Sequence, residues 1–430
     1  MIDFSVEPDF QAKLDWMNAF VRAECEVMDL LFPGQGIMYD MSHAKARAHL
    51  APLRAQVKRQ GLWACHLGPH LGGPGYGQVK LALMNEVLGR SSWAPTVFGT
   101  AAPDTGNSEI LAMFGTEAQK ARYLKPLLDG EICSCFSMTE PQGGSDPTHF
   151  TCAATRDGDD WLINGEKWFI SNARYAAFHI VMAVTDQDAP PHQRMSMFLV
   201  DSGTPGIEIL RNSGVIGEEE GAGSHAYIRY TDVRVPADAM LGAPGEGFKV
   251  AQARLGGGRI HHAMRTVGRC QRALEMMMER AVSRHTRGRR LGDHQFVQGL
   301  IADSVIELEQ LRLLVLKTAW TIDAVEAGRL PHGGARNLIA MSKISMAKVM
   351  HDVIGRAQQM HGSLGLTTET WLAQFWAGVQ ALAFADGPTD AHRSQLARVL
   401  LKDVKPAESL FPSDHTLTRL AAARAKYPDA

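Results

Sequence analysis

The hydrophobic period of the sequence changes twice along the chain. Near the N-terminus, apolar side chains between Phe10 and Leu31 recur at helical spacing, and Thr116 with Gln119 forms a capping box at the start of another helix. Beyond residue 131, short alternating segments separated by turn residues indicate strands. Helical spacing returns in the last part, where apolar residues from Ile301 to Val315 step by three and four. Such an order predicts two helical regions with a sheet between them.

These changes define the expected architecture. We predict an N-terminal helical domain over residues 1–131, a small β-domain over 132–242, a C-terminal helical bundle over 243–410 and a tail over 411–430. Because no helices lie between the strands, we expect the β-domain not to be a parallel sheet. The fold class is therefore α+β.

Composition excludes several classes of protein. Lys and Arg number 44 against 46 Asp and Glu, so nothing indicates a nucleic-acid partner. No stretch approaches the roughly 18 apolar residues that a membrane span needs, and the acidic N-terminus does not resemble a secretory signal. Six cysteines in 430 residues indicate reduced thiols. We therefore expect a cytoplasmic protein, and the Cys133-x-Cys135 pair lacks the further ligands of a metal site.

Two neighbouring motifs could carry chemistry. FSMTEPQGGSD occupies Phe136–Asp146, and WLINGEKWFISN occupies Trp161–Asn172. The Gly-Gly-Ser turn offers backbone N–H groups for a phosphate, and Thr139 could bond the edge of a planar ring. Phe169 could cover such a ring, and Ser171, two residues later on the same strand face, could reach its reactive nitrogen. A glycine-rich run at Gly72–Gly77 lacks the strand before it that a dinucleotide fold requires, so we interpret it as a turn.

Both motifs resemble the first signature of the acyl-CoA dehydrogenase family. QMHGSLGLTTE at Gln359–Glu369 resembles its second signature, and Arg284-x-x-x-Gly288 resembles its flavin-clamping helix. GRIHHAMRTVG at 258–268 and FADGPTDAH at 384–392 resemble the subgroup of family members ten and eleven. The resemblance implies the family fold with a C-terminal four-helix bundle, FAD as cofactor, an acyl-CoA substrate, electron-transferring flavoprotein as acceptor and a homo-oligomer, either a dimer or a tetramer.

The resemblance also assigns roles to residues of this sequence. It places the FAD beside residues of the β-domain, which are Phe136, Met138, Thr139, Gly144, Ser145, Phe169, Ile170 and Ser171. Gly362 and Asp390 are further residues expected to bind the cofactor, and Arg284, Gln295 and Gln359 are expected to reach the FAD of a neighbouring subunit. It places the substrate beside Ser145, Arg259, Asp386 and Gly387. A cofactor shared between subunits would make the oligomer obligatory.

The catalytic base implied by the resemblance is Asp386. Family members usually carry a Glu at the matching position, or in some cases on a helix at the position of Gly258, which cannot act as a base here. Asp386 would remove the α-proton of the thioester while the β-hydride passes to the flavin. His261 and His262 are adjacent on a helix, so at most one of them is expected near the substrate.

Two alternatives remain open. An Asp base also fits a flavin oxidase of a carbon acid that is not a CoA thioester, resembling nitroalkane oxidases. A non-catalytic scaffold that binds acyl-CoA or flavin is a third possibility, against which Asp386, Thr139 and Ser171 argue.

Overall fold

The computed structural model describes residues 2–216, 218, 221 and 223–429 of the chain. Its N-terminal part is helical and contains α1 (Pro8–Phe20), α2 (Glu26–Leu31), α3 (Gln35–Tyr39), α4 (Ala44–Arg59), α5 (Gln78–Leu88), α6 (Ala94–Val97), α7 (Asp104–Phe114), α8 (Glu117–Gln119) and α9 (Lys125–Asp129). A π-turn at Val21–Cys25 joins α1 to α2. The capping box predicted at Thr116 and Gln119 is present, and Gly72–Gly77 forms the loop before α5, as expected.

An eight-stranded sheet follows. Its strands are β1 (Ser134–Ser137), β2 (Ala153–Asp157), β3 (Asp160–Ser171), β4 (Phe178–Val184), β5 (Met195–Asp201), β6 (Ile207–Ser213), β7 (His225–Val235) and β8 (Met240–Leu241). The order is β6-β7-β3-β2-β4-β5-β8, and β1 pairs with β4. As expected, this is not a parallel sheet, because most neighbouring strands pair in antiparallel fashion. The parallel contacts are those of β1 with β4 over four residues and of β2 with β4 at one pair.

The C-terminal part is again helical. Its elements are α10 (Gly247–Ser283), a small hairpin of β9 (His285–Thr286) and β10 (Arg289–Arg290), α11 (Gln295–Glu326), α12 (Arg336–His361), α13 (Trp371–Phe384), α14 (Thr389–Leu401) and α15 (Thr416–Lys426). The first four long helices pack on one another, which confirms the predicted α+β architecture. Val305 does not share the buried face expected for Ile301–Val315, because its side chain is exposed.

One hydrophobic core joins the two helical regions. It includes Phe10 and Leu50 from the N-terminal helices together with Val267, Met350 and Val379 from the C-terminal ones. Apolar residues on alternate positions of β4 fill two further cores, one on each face of the sheet. The helical regions therefore form a single packed body, although the sequence places the whole β-domain between them.

Helices α5 and α10 cross at close range. A Cβ atom at Gly268 would lie 1.8 Å from the carbonyl oxygen of Glu86, and one at Gly89 would lie 2.0 Å from that of Arg265. Only glycine fits at these two positions, since any side chain would collide with the opposing backbone. The contact fixes α10, which carries part of the candidate site.

Candidate active site

Asp386 lies in the short turn between α13 and α14. Its backbone has φ +56° and that of Gly387 has φ +104°, so both adopt left-handed conformations. Arg259 Nε donates to the Asp386 carbonyl oxygen at 3.0 Å, and His392 Nε2 lies 3.3 Å from the same oxygen. The side chain of Asp386 retains only 14% of its accessible surface. The turn therefore carries one part-buried carboxylate, and the side chains of Arg259 and His392 contact its backbone.

The carboxylate faces a glycine-rich turn of α10. A Cβ atom at Gly258 would lie only 2.6 Å from Asp386 Oδ2, and one at Gly257 would lie 2.7 Å from Glu109 Oε2. Nothing lies within 4 Å of a Cβ built at Gly256. The three glycines point in different directions, so this turn of α10 contacts two carboxylates and also borders open space. Sequence reasoning excluded Gly258 as a base, and the structure places it directly opposite Asp386.

Glu109 on α7 is a second carboxyl group beside this turn of α10. Burial raises its pKa to about 8, and attraction to Arg254 only partly offsets the effect. Arg254 Nε donates to Asn107 Oδ1 at 2.8 Å, and its guanidinium lies 4.1 Å from the centre of the Phe136 ring. Arg254 thus connects α7 to Phe136, one of the residues predicted to line the flavin. Sequence reasoning missed both Glu109 and Arg254.

Lys343 on α12 contacts the end of the helix that precedes the turn. Its side chain is fully buried, and its Nζ donates to the carbonyl oxygen of Leu382 at the end of α13. Burial lowers the pKa of Lys343 to about 8, although the Asp386 carboxylate favours the charged form. A cation at a helix C-terminus is favourable, so Lys343 stabilises the entry to the Asp386 turn.

Two adjacent histidines on α10 have different surroundings. His262 Nε2 lies 3.5 Å from Asp386 Oδ2, and the side chain keeps 22% of its surface. Burial lowers the pKa of His262 to about 4. The His261 ring is buried and lies 6.4 Å from the ring of His66, centre to centre. As the helical geometry predicts, only one of the two faces Asp386.

The end of β1 is tied to β3 by a buried ion pair. Lys167 Nζ donates to Glu140 Oε1 and to the Met138 carbonyl oxygen, both at 2.8 Å. The Trp168 amide donates to the Thr139 carbonyl oxygen at 2.8 Å. These contacts bring the two sequence motifs together and hold Met138 and Thr139 half-buried at the strand end. The ion pair was not predicted, because Glu140 and Lys167 look like ordinary surface charges in the sequence.

A β-bulge shapes the second motif. The pairing of β3 with β7 shifts register between Lys167 and Ile170, and Phe169 has φ +58°. Phe169 is 54% exposed and stacks on Trp168, with ring centres 4.5 Å apart. Ile170 is buried and Ser171 half-buried. Burial still alternates from Phe169 through Ile170 to Ser171, and the predicted contacts of Phe169 and Ser171 with a flavin ring remain predictions.

The turn predicted to hold phosphate is open to approach. Gly144 has φ +50°, and nothing lies within 4 Å of a Cβ built there. Ser145 is exposed beside it. An exposed aromatic ring, a half-buried hydroxyl and an open glycine turn on the same motif pair are the groups that a flavin dinucleotide requires, so these residues fit FAD.

The remaining predicted cofactor residues lie on the surface of the single chain. Arg284 follows α10, Gln295 begins α11, and Gln359 and Gly362 lie at the end of α12, and all four are exposed. Asp390 is also exposed and accepts a hydrogen bond from Arg393 Nη1 at 2.8 Å. Their predicted contacts with FAD remain predictions.

Comparison with known protein families gives matches along most of the chain. Residues 38–131 match the acyl-CoA dehydrogenase N-terminal domain, residues 135–233 the middle domain and residues 245–401 the C-terminal domain. None of the helices in the described part of the chain is long and apolar enough to cross a membrane.

Individual proteins are similar over the same region. The Mycobacterium tuberculosis protein named "Probable acyl-CoA dehydrogenase FadE2" is 44% identical over 83% of this chain and 88% of its own length. Mouse acyl-CoA dehydrogenase family member 10 and rat family member 11 are 42% and 40% identical over 82% of this chain. This chain spans only 33% and 45% of those two longer proteins.

Solved structures share the fold. A protein from Mycobacterium abscessus, provisionally described as an acyl-CoA dehydrogenase, superposes with a TM-score of 0.83 at 35% identity, covering 93% of this chain and 99% of its own. Butyryl-CoA dehydrogenase from Megasphaera elsdenii superposes with a TM-score of 0.78 at 26% identity, covering 93% and 100%. With all three domains matched in order, the chain belongs to the acyl-CoA dehydrogenase family, whose members are FAD-dependent oxidoreductases.

Proposed function

We propose that the chain binds FAD and removes hydrogen from the α and β carbons of an acyl-CoA thioester, with Asp386 as the base. The observation that carries this proposal is the part-buried Asp386 carboxylate, held opposite Gly258 by a turn whose backbone carbonyl Arg259 binds. FAD, when bound, would supply the acceptor for the β-hydride. Electron-transferring flavoprotein is the proposed next acceptor, as the family resemblance implies.

Asp386 has two tasks in this proposal. One carboxylate oxygen accepts the α-proton of the thioester. Among the described residues, no acceptor lies within hydrogen-bond distance of the Asp386 backbone amide, which leaves that N–H available to the thioester oxygen. A donor at this oxygen would stabilise the negative charge that develops as the α-proton leaves, an effect of several kcal/mol in comparable sites.

The β-domain supplies the residues that would bind the flavin. Thr139 and Ser171 would bond the ring edge, Phe169 would cover its face, and the Gly144–Ser145 turn would hold the phosphates. The Glu140–Lys167 ion pair keeps the first of these groups in place. Arg284, Gln295 and Gln359 are exposed, which is compatible with our proposal that they reach the FAD of a neighbouring subunit.

Anaerobic mixing of the FAD-loaded protein with a panel of CoA thioesters tests the function. Loss of the yellow flavin absorbance with at least one thioester is the expected result. Bleaching only by a nitroalkane would instead support an oxidase of another carbon acid. A protein that binds no flavin would contradict both enzymatic proposals.

Asp386→Asn tests the base. The variant should still bind FAD and thioester, since the amide has nearly the same shape, but flavin reduction should fall by at least about a thousandfold. Asp403→Asn is the matched control, because Asp403 is exposed beyond the end of α14 and has no predicted role in the site. Normal reduction by Asp386→Asn would remove Asp386 from this role.

A further inference from the structure

His262 contacts the proposed base from one helical turn beyond Gly258. The two residues lie four positions apart on α10, so they share a face of the helix. Gly258 leaves room for Asp386 Oδ2, and His262 Nε2 lies 3.5 Å from the same oxygen. Oδ1 makes no hydrogen bond with any residue in the described ranges. The two carboxylate oxygens therefore have different surroundings.

The protonation state of His262 follows from its surroundings. Burial lowers its pKa to about 4, with Arg265 and Arg254 on the same helix and Lys343 on α12 also disfavouring a positive charge. Attraction to the Asp386 carboxylate acts in the opposite direction and raises the pKa of His262. The ring is therefore neutral at pH 7. A carboxylate can only accept a hydrogen bond, so a hydrogen bond to Oδ2 requires that the single ring proton of His262 lie on Nε2.

The rest of the Asp386 turn is already restrained. Arg259 and His392 contact its carbonyl oxygen, and Lys343 holds the preceding helix end. The carboxylate itself has only His262 as a side-chain partner among the described residues. A separation of 3.5 Å is long for a hydrogen bond, but such contacts often shorten once substrate fills a site.

We propose that His262 is a positioning residue for Asp386, donating from Nε2 to Oδ2 so that Oδ1 faces the α-proton of the substrate. This inference rests on the proposed function. In the reaction, Oδ1 accepts the proton and His262 keeps its own, so His262 does not change protonation state. A donor at Oδ2 would also favour the charged form of a carboxylate, which is the form that accepts a proton.

Two substitutions at His262 distinguish the positioning of Asp386 from a contribution to packing alone. His262→Leu removes the donor and preserves much of the volume, whereas His262→Gln retains an N–H at nearly the same distance from the backbone. We expect His262→Leu to reduce the rate of flavin reduction roughly a hundredfold at neutral pH, as expected for a misplaced base. The acid limb of its pH–rate profile should move up by about one pH unit or more. His262→Gln should restore most of the rate.

His261 supplies the matched control. It is the same residue type on the same helix, but it is buried beside His66 and faces away from Asp386. His261→Gln should leave the pH–rate profile unchanged even if it lowers stability. A similar shift in His261→Gln, or an unshifted profile in His262→Leu, would overturn the inference.

A second measurement does not depend on turnover. In protein labelled with ¹⁵N-histidine, the His262 ring should appear as the neutral tautomer with its proton on Nε2, and Asp386→Asn should shift this signal but not that of His261. An unchanged His262 signal would overturn the inference even if His262→Leu failed to fold. If no thioester reduces the wild-type flavin, the proposed function fails, whereas normal wild-type reduction with unaltered His262 variants refutes only the positioning role.

Discussion

A single methyl group at Gly258 should disable the proposed base without unfolding the protein. The added Cβ would lie 2.6 Å from Asp386 Oδ2, whereas ordinary contact begins at 3.4 Å, so the carboxylate must move by about 0.8 Å. A displacement of about 1 Å in a reacting group can lower a rate by roughly a hundredfold. Replacing glycine by alanine inside a helix also favours the helix by up to about 1 kcal/mol. Gly258→Ala should therefore be folded and yellow, yet reduced by thioester roughly a hundredfold more slowly.

Gly256→Ala is the control for this prediction. The substitution has the same effect on helix propensity, but nothing lies within 4 Å of the new Cβ. Stopped-flow absorbance of the flavin at saturating thioester measures the reduction rate, and thermal unfolding of each variant measures stability. The reasoning is refuted if Gly258→Ala is reduced as fast as the wild type. Equal losses in both variants would also refute it, because they would implicate the helix face and not the contact with Asp386.

Two further predictions concern stability. Glu140→Gln leaves the Lys167 ammonium buried without its partner and should lower the free energy of unfolding by about 3–5 kcal/mol in urea titrations. Asp129→Asn, which breaks the exposed pair with Lys125, should have a much smaller effect, and equal effects of the two substitutions would contradict the role of the buried pair. Burial lowers the pKa of His66 from 6.5 to about 3, so the unfolded chain binds a proton that the folded state excludes, and stability is lost as pH falls from 6.5 towards 3. His66→Gln should reduce that loss by about 1.4 kcal/mol per pH unit, and parallel curves for variant and wild type would contradict the assignment.

Residues that belong to a short local motif could be singled out from the sequence alone. Asp386, Gly387 and Phe169 were assigned roles from short strings that resemble the family signatures, and these roles remain predictions. The change from helical to strand periodicity also predicted the order of the three regions. These features depend on neighbours within a few positions, where the pattern of residue types is informative.

The contacts that complete the site depend on distant parts of the chain. Arg259 meets the Asp386 turn across 127 positions of sequence, and His262 approaches the same residue because α10 and the turn pack together. Only weak signals were available beforehand, such as a lysine at position 343 between Met341 and Met346 in an apolar helix. The bulge at Phe169 was likewise not predictable, because period-2 alternation assumes a regular strand.

The single core shared by the two helical regions has a consequence for biosynthesis. The apolar faces of the first 131 residues pack against helices that begin at residue 247 or later, so their partners emerge from the ribosome more than one hundred residues later. At about 5–20 residues per second, this delay is on the order of ten seconds. During it the β-domain can form its sheet, while the N-terminal helices still expose the surface that will bind α10. The order of translation therefore makes the early helices dependent on protection from aggregation until the C-terminal helices are synthesised.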